Sequence, residues 1–180
     1  MSEKWTGFSR RELLLGGGVV LAGLALAPRA LFADEDDLAL PAAASDALGK
    51  SGLVYISPLH PDGAESRCHG EVWFFMDGAD VVIGTDRDRW KARAVSQGWD
   101  RARIWVGDFG PVARAKDEMR KAPNFEARGR FDTERATFDR LLASFAAKYS
   151  EEWGKWGPRF EKSYSDGDRV LIRYSPVVGD

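Results

Sequence analysis

Between Thr85 and Lys91 the chain reads Thr-Asp-Arg-Asp-Arg-Trp-Lys, which gathers one hydroxyl, two guanidiniums and one ammonium into a single short stretch. An apolar run from Ala79 to Gly84 precedes it and a helical pattern begins at Arg89, so the cluster falls where a strand hands over to a helix. Free amides and the positive end of a helix dipole make such a start an anion site, and Arg87, Arg89 and Lys91 add full charges to it. The chemistry on offer is the holding of a phosphate or carboxylate. The same residue types also suit a plain solvated helix face, and taken alone they leave both readings open.

Other chemistries find less support. Ser, His and Asp are present, but nothing has the form of a strained nucleophile elbow. His60, Cys68 and His69 are the soft ligands of the chain and lack the paired spacing of a zinc site, so no metal is expected. Cys68 and His69 are adjacent on an expected strand and point to opposite faces. A Gly-rich phosphate loop is missing; Gly16-Gly17-Gly18 lies in the leader. The sequence assigns no general acid or base, so the catalytic residues are unknown.

Strands and helices on either side must position the cluster. Val72 to Met76 is apolar at every position, which marks a strand covered on both faces. Asp77-Gly78 supplies a tight hairpin turn, and Ala79–Gly84 returns. Upstream, Leu53–Leu59 is the first strand, Pro61-Asp62-Gly63 a turn, and Glu65–Met76 a long second strand, with Gly70 a bulge or a place of close backbone approach. Downstream come a short helix from Arg89 to Gln97, a strand at Ala102–Asp108 and a helix over Ala113–Lys121. Phe125–Phe131 alternates as a half-buried strand. A helix capped by Thr133 runs to about Tyr149, with Phe138, Leu141, Leu142, Phe145 and Tyr149 on one face. Beyond Tyr149 the aromatic pattern continues, but Gly154 and Gly157-Pro158 are expected to break any single long helix there. The last strand spans Arg169–Tyr174 after a turn at Asp166-Gly167.

Three stretches together resemble the pyridoxamine 5'-phosphate oxidase-like family of flavin-binding split barrels, in the branch that includes deazaflavin-dependent reductases. They are the hairpin Val72-Trp73-Phe74-Phe75-Met76-Asp77-Gly78, then Thr85 with Trp90-Lys91, then Ile104-Trp105-Val106-Gly107. The resemblance covers roughly 53–177. It implies a mainly β fold with helices: a six-stranded antiparallel split β-barrel, the FMN-binding split barrel, with added helices in the C-terminal third. It also implies FMN, with a deazaflavin coenzyme or haem as alternatives, and a homodimer with the cofactor at the subunit interface. By the resemblance Lys91 would hold the cofactor phosphate, supported by Thr85 and Arg89. The ring would lie along Gly70, Glu71, Val72 and Trp73, near Trp90 and Trp105. Arg89-Trp90-Lys91 stands where many relatives show Ser-Trp-Lys or Ser-Arg-Lys, so the family gives Arg89 no fixed role. Two functions are implied: a flavin-dependent oxidoreductase acting on a small-molecule substrate or electron acceptor, or a non-enzymatic flavin- or haem-binding protein.

The N-terminus is a separate matter. Ser9-Arg10-Arg11-Glu12-Leu13-Leu14 is a twin-arginine pattern, followed by a glycine-rich apolar run from Leu13 to Ala27. A good membrane span needs about 20 apolar residues, so a cleaved signal over 1–33 is expected, with an uncleaved anchor as the alternative and no other membrane contact. Such a signal is read by the twin-arginine export machinery and predicts a periplasmic or otherwise exported protein. The remaining parts are then a linker with a short helix over 34–51 and the barrel domain over 52–178. Removing 1–33 takes away four Lys/Arg and two Asp/Glu, so the formal charge falls from −2 to −4. A mildly acidic chain has no reason to bind nucleic acid. Cys68 is the single cysteine, so no intramolecular disulfide forms.

Overall fold

A computed structural model describes residues 40–177. The signal expected over 1–33 and most of the acidic tether behind it lie outside the described residues. In chain order the elements are α1 (Ala42–Leu48), β1 (Val54–Pro58), β2 (Gly70–Val72), β3 (Phe75–Asp77), β4 (Asp80–Asp86), α2 (Trp90–Ser96), β5 (Arg101–Val106), α3 (Val112–Met119), β6 (Asn124–Asp132), α4 (Arg135–Lys148), α5 (Ser150–Ser165) and β7 (Arg169–Val177). The strands form one antiparallel sheet in the order β2-β1-β5-β6-β7-β4-β3. Its two end strands, β2 and β3, are joined by Trp73 and Phe74 alone. The sheet must therefore curl until its ends meet in one stretch of chain, which is a split barrel with helices added.

The barrel has seven strands where six were expected, because the second expected strand is divided. Between Glu65 and Met76 the chain makes a lone bridge, Leu59 to Glu65, and pairs with β1 only from Gly70. It then leaves β1 at Val72 and joins β4 at Phe75. The Tyr149 hydroxyl fills the gap. It accepts the Phe74 N–H at 3.1 Å and donates to the Gly52 carbonyl at 2.7 Å. A backbone donor left at the switch point without a strand partner is thus satisfied by a side chain.

Alternation along the strands makes two cores. Val54 and Ile56 of β1, Ile83 of β4, Ile104 of β5 and Ile172 of β7 point inward, with Leu48 of α1 and Ala92 of α2 packed against them. On the outer face, Phe75, Val82 and Leu171 meet Phe138, Leu141 and Phe145 of α4 and Phe160 of α5. The run Val72–Met76 is divided between these two cores, so both of its faces are covered as expected. A smaller cluster holds Tyr55, Trp105, Met119 and Ala122 beneath α3.

Several local expectations shift. The β3–β4 loop is Gly78-Ala79, one residue later than expected, because Asp77 still pairs with Asp80; Gly78 supplies φ +66°. Helix α4 starts behind Glu134, which makes no side-chain cap bond, and Asp132 accepts the Glu134 N–H at 3.0 Å where Thr133 was expected to cap. α5 runs unbroken through Gly154, Gly157 and Pro158. Its apolar face is held by the outer core, and tertiary packing outweighs the local breakers. Gly157 also leaves room for the Trp153 indole, which a Cβ there would meet at 2.8 Å. The break falls instead at Tyr149, whose backbone (φ −119°, ψ 42°) separates α4 from α5.

Candidate anion-binding groove

Strand β4 ends at Asp86 and α2 begins at Trp90, behind an extended Arg89. This handover stands beside β2, and Lys91 in the first turn of α2 reaches across to it. A Cβ at Gly70 would collide with the Lys91 ammonium, so glycine is what lets the charge lie against the strand backbone. A groove of about 880 Å³ runs between β2, the end of β4, α2 and α5. Gly70, Glu71, Val72, Thr85, Arg89, Trp90 and Lys91 line it, seven of the nine residues expected to hold a cofactor.

The charges in the groove are unequally satisfied. Burial pulls the Lys91 pKa down and Glu71 only partly restores it. Lys91 makes no ion pair with any described residue, and the Glu71 carboxylate is engaged by the Val112 N–H at 3.1 Å, at the start of α3. Arg89 is exposed and lies 3.5 Å from Asp86. Thr85 is buried, at 7% exposure. The Trp90 Nε1–H donates to Ser66 Oγ at 3.3 Å, and the ring meets Trp99 edge-on. Arg87 is turned away: its Nε–H donates to the Gly167 carbonyl at 3.0 Å and its backbone N–H to Asp168 at 2.7 Å.

Trp73 and Trp105 lie outside the groove. Trp73 stacks on Tyr149, centroids 4.2 Å apart, and parallel to Phe160 at 6.2 Å. It lines an adjoining hollow of about 320 Å³ with Val72, Gly84, Trp156, Phe160 and Arg169. Trp105 sits under α3, with the Arg120 guanidinium 5.7 Å from its ring centre. Of the soft ligands, His69 and the exposed Cys68 line the groove, whereas His60 packs on Trp99.

Arg67, Trp156 and Arg169 also line the groove, and nothing in the sequence pointed to them. Arg169 is the most informative. It pairs across the sheet with Asp86, 2.9 Å away, donates from Nε to Ser163 at 2.8 Å and lies over the Phe160 ring at 4.1 Å. Burial lowers its pKa against the attraction of Asp86. The only sequence signal was its place opening the last strand; the register that carries it to the groove is tertiary.

The structural neighbours of the chain are pyridoxamine 5'-phosphate oxidase-like split-barrel proteins. Among them are HutZ, the haem storage protein of Vibrio cholerae (TM-score 0.53, 10% identity, covering 75% of this chain and 88% of that one), and a pyridoxamine 5'-phosphate oxidase-like protein of Listeria innocua (TM-score 0.47, 12% identity, 73% and 89%). An F420 reductase is a third (TM-score 0.47, 19% identity, 77% and 96%). At such identities the likeness is one of fold, and it rests on the first of the three. No protein-family model and no curated protein sequence matches the chain.

Proposed function

We propose that the chain is an exported flavin-dependent oxidoreductase that holds FMN, or a deazaflavin coenzyme, in this groove. The observation that carries the reading is Lys91: a half-buried cation whose pKa desolvation lowers, with no ion pair among the described residues, laid against the β2 backbone by Gly70. A partly desolvated charge without a partner carries a cost, and a phosphate is the partner it lacks. Arg67, Arg89 and Arg169 surround it with further positive charge, and Thr85 offers a hydroxyl. Of these, Arg89 and Arg169 already share Asp86. The residues therefore fit a phosphate-bearing cofactor, and the groove has the room for one.

In that reading Lys91 and Thr85 fix the phosphate, Arg67 and Arg169 screen it, and the β2 backbone from Gly70 to Val72 borders the ring. The flavin supplies hydride or electron transfer when bound. The residues of this chain orient it and exclude water; none is assigned a proton-transfer role.

Lys91→Ala tests the site. A charge-assisted contact contributes about 1.5–3 kcal/mol, so FMN affinity falls by roughly one to two orders of magnitude. Riboflavin, which lacks the phosphate, responds little. Equal losses for the two ligands in a fluorescence titration, or none for FMN, would overturn the assignment. Export rests on Arg10-Arg11 before the apolar run. Changing both to Lys should leave the precursor in the cytoplasm, and normal export of that variant counts against it.

A second reading has one observation in its favour: His69 lines the groove. It would make the chain a haem-binding split barrel without turnover, as HutZ is described as a haem storage protein. A Soret band in the purified protein that is lost in His69→Ala supports that reading; flavin bands support the first.

A further inference from the structure

A surplus of positive charge in the groove is matched by a surplus of negative charge in the chain just ahead of α1. Four cations, Arg67, Arg89, Lys91 and Arg169, and two carboxylates, Glu71 and Asp86, line the groove. Both carboxylates are committed: Glu71 accepts the Val112 N–H at 3.1 Å, and Asp86 is shared by Arg89 at 3.5 Å and Arg169 at 2.9 Å. Arg67 and the half-buried Lys91 make no ion pair with any described residue. Directly before the described residues the sequence carries four consecutive carboxylates, Asp34-Glu35-Asp36-Asp37, followed by Leu38 and Ala39. Leu40 anchors that stretch to the barrel, because it packs against the inner core. Val72 packs against the same core and is also a wall of the groove.

We infer that the acidic stretch over 34–37 docks in the groove of its own chain and acts there as a tethered competitor for any anion that binds. The inference rests on the reading of the groove as an anion site. Reach allows it: fully extended, the chain runs from Leu40 about 10 Å to Asp37 and about 20 Å to Asp34, the length of a six-residue strand. The carboxylates therefore sweep out from the core that also carries Val72. Charge favours it: the stretch meets two cations without a partner and two that share one carboxylate. Each exposed pair is weak, but a short tether holds the local concentration near the millimolar range, so several weak pairs act together. The contact is one of charge, so salt screens it, over a Debye length of about 8 Å at physiological ionic strength. A ligand that adds ring contacts to its anionic group displaces the stretch, whereas a small anion has only charge to set against it. The groove thereby favours ligands that join an anionic group to a flat ring.

Two measurements on the full chain test this. A water-soluble carbodiimide joins an amine to a carboxylate in direct contact, and peptide mass mapping locates the bond. The 34–37 stretch should couple to Lys91 well above Lys50, the described lysine nearest to it in sequence, and above Lys155 or Lys162. The yield should be independent of protein concentration, and FMN should suppress it. Neutralising the stretch, with Asp34→Asn, Glu35→Gln, Asp36→Asn and Asp37→Asn together, should raise FMN affinity about three- to ten-fold at low salt. That gain should vanish in about 1 M salt, where the Debye length is about 3 Å. Coupling confined to Lys50, or spread evenly over the lysines, overturns the proposal. So does a yield that rises with protein concentration, which describes one chain reaching another, and so does an FMN affinity unchanged by the four substitutions. A Lys91 cross-link in a protein that binds no FMN sinks the cofactor reading alone. FMN binding that ignores the substitutions, with no Lys91 cross-link, sinks this inference alone.

Discussion

Around Arg173 three carboxylates and a hydroxyl surround one guanidinium. Asp80 lies 3.0 Å away and Asp132 2.9 Å, Asp77 is bonded to the same group, and Thr137 stands behind. Around Lys91 three arginines line the same groove, and the nearby Glu71 carboxylate is committed to a backbone amide. Both sites lie against the same curled sheet. At Arg173, burial lowers the pKa but the bonds to Asp77, Asp80 and Asp132 outweigh it and the pKa rises. At Lys91 burial wins and the pKa falls. The difference separates two uses of buried charge. One set is closed on itself and ties β3, β4, β6, β7 and the start of α4 together. The other is left open and makes sense as a place for something that arrives from outside.

The largest effect is expected where the charges are closed. Arg173→Met leaves Asp77, Asp80 and Asp132 facing one another, and breaking one side of such a buried network costs about 3–5 kcal/mol. Urea unfolding should show that loss. A change under about 1 kcal/mol, the range of an exposed pair, would mean that the hub is solvated and the contrast with Lys91 false.

A smaller effect is expected at the strand switch, where the bonds are closed but neutral. Tyr149→Phe keeps the ring on Trp73 and removes the hydroxyl that serves Phe74 and Gly52. Leaving buried backbone groups unpaired costs about 1–3 kcal/mol. The Phe74 amide should lose hydrogen-exchange protection in this variant. Unchanged protection there would show that the gap between β2 and β3 is sealed by something other than the hydroxyl.

These two regions were unequally legible in the sequence. The cluster from Thr85 to Lys91 and the close approach at Gly70 could be read because they depend on neighbours in the chain. The turn glycines Gly63, Gly98 and Gly167 take the positive φ that their positions call for. The alternation of β6 is realised, with Phe125, Ala127 and Gly129 buried and Arg128 and Arg130 exposed. What escaped was set by distant partners. Val72–Met76 has no internal stop; the residue that divides it, Tyr149, is 75 positions further on. Arg169 reaches the groove through its pairing with Asp86, and the Arg173 hub draws its carboxylates from three separate elements. The continuity of α5 through Gly157-Pro158 reflects the packing of Phe160 and its neighbours, which no local pattern reports.

The smallest expected effect sharpens the comparison most, because the two sites should respond to pH in different windows. Hydrogen bonds from Arg140 and Arg173 lower the Asp77 pKa; burial would raise that of Asp132, but the Glu134 amide and Arg173 prevail and lower it. Carboxylates with depressed folded-state values contribute stability that is full above about pH 4 and lost as pH falls through those values. Lys91 is also depressed, but from about 10.4, so its window is alkaline. Below its folded pKa the chain carries the cost of a desolvated ammonium; that cost fades as pH rises toward the unfolded value. The difference in stability between wild type and Lys91→Met should therefore move in favour of wild type on the alkaline side and stay flat near pH 5. Arg173→Met should show the reverse, with its difference from wild type shrinking in acid. Adding FMN at pH 7 should remove the cost at Lys91 and leave the acid limb at Arg173 unchanged. A Lys91→Met difference that is independent of pH from 7 to 10.5 would place that ammonium in water and end the distinction between an open and a closed set of charges.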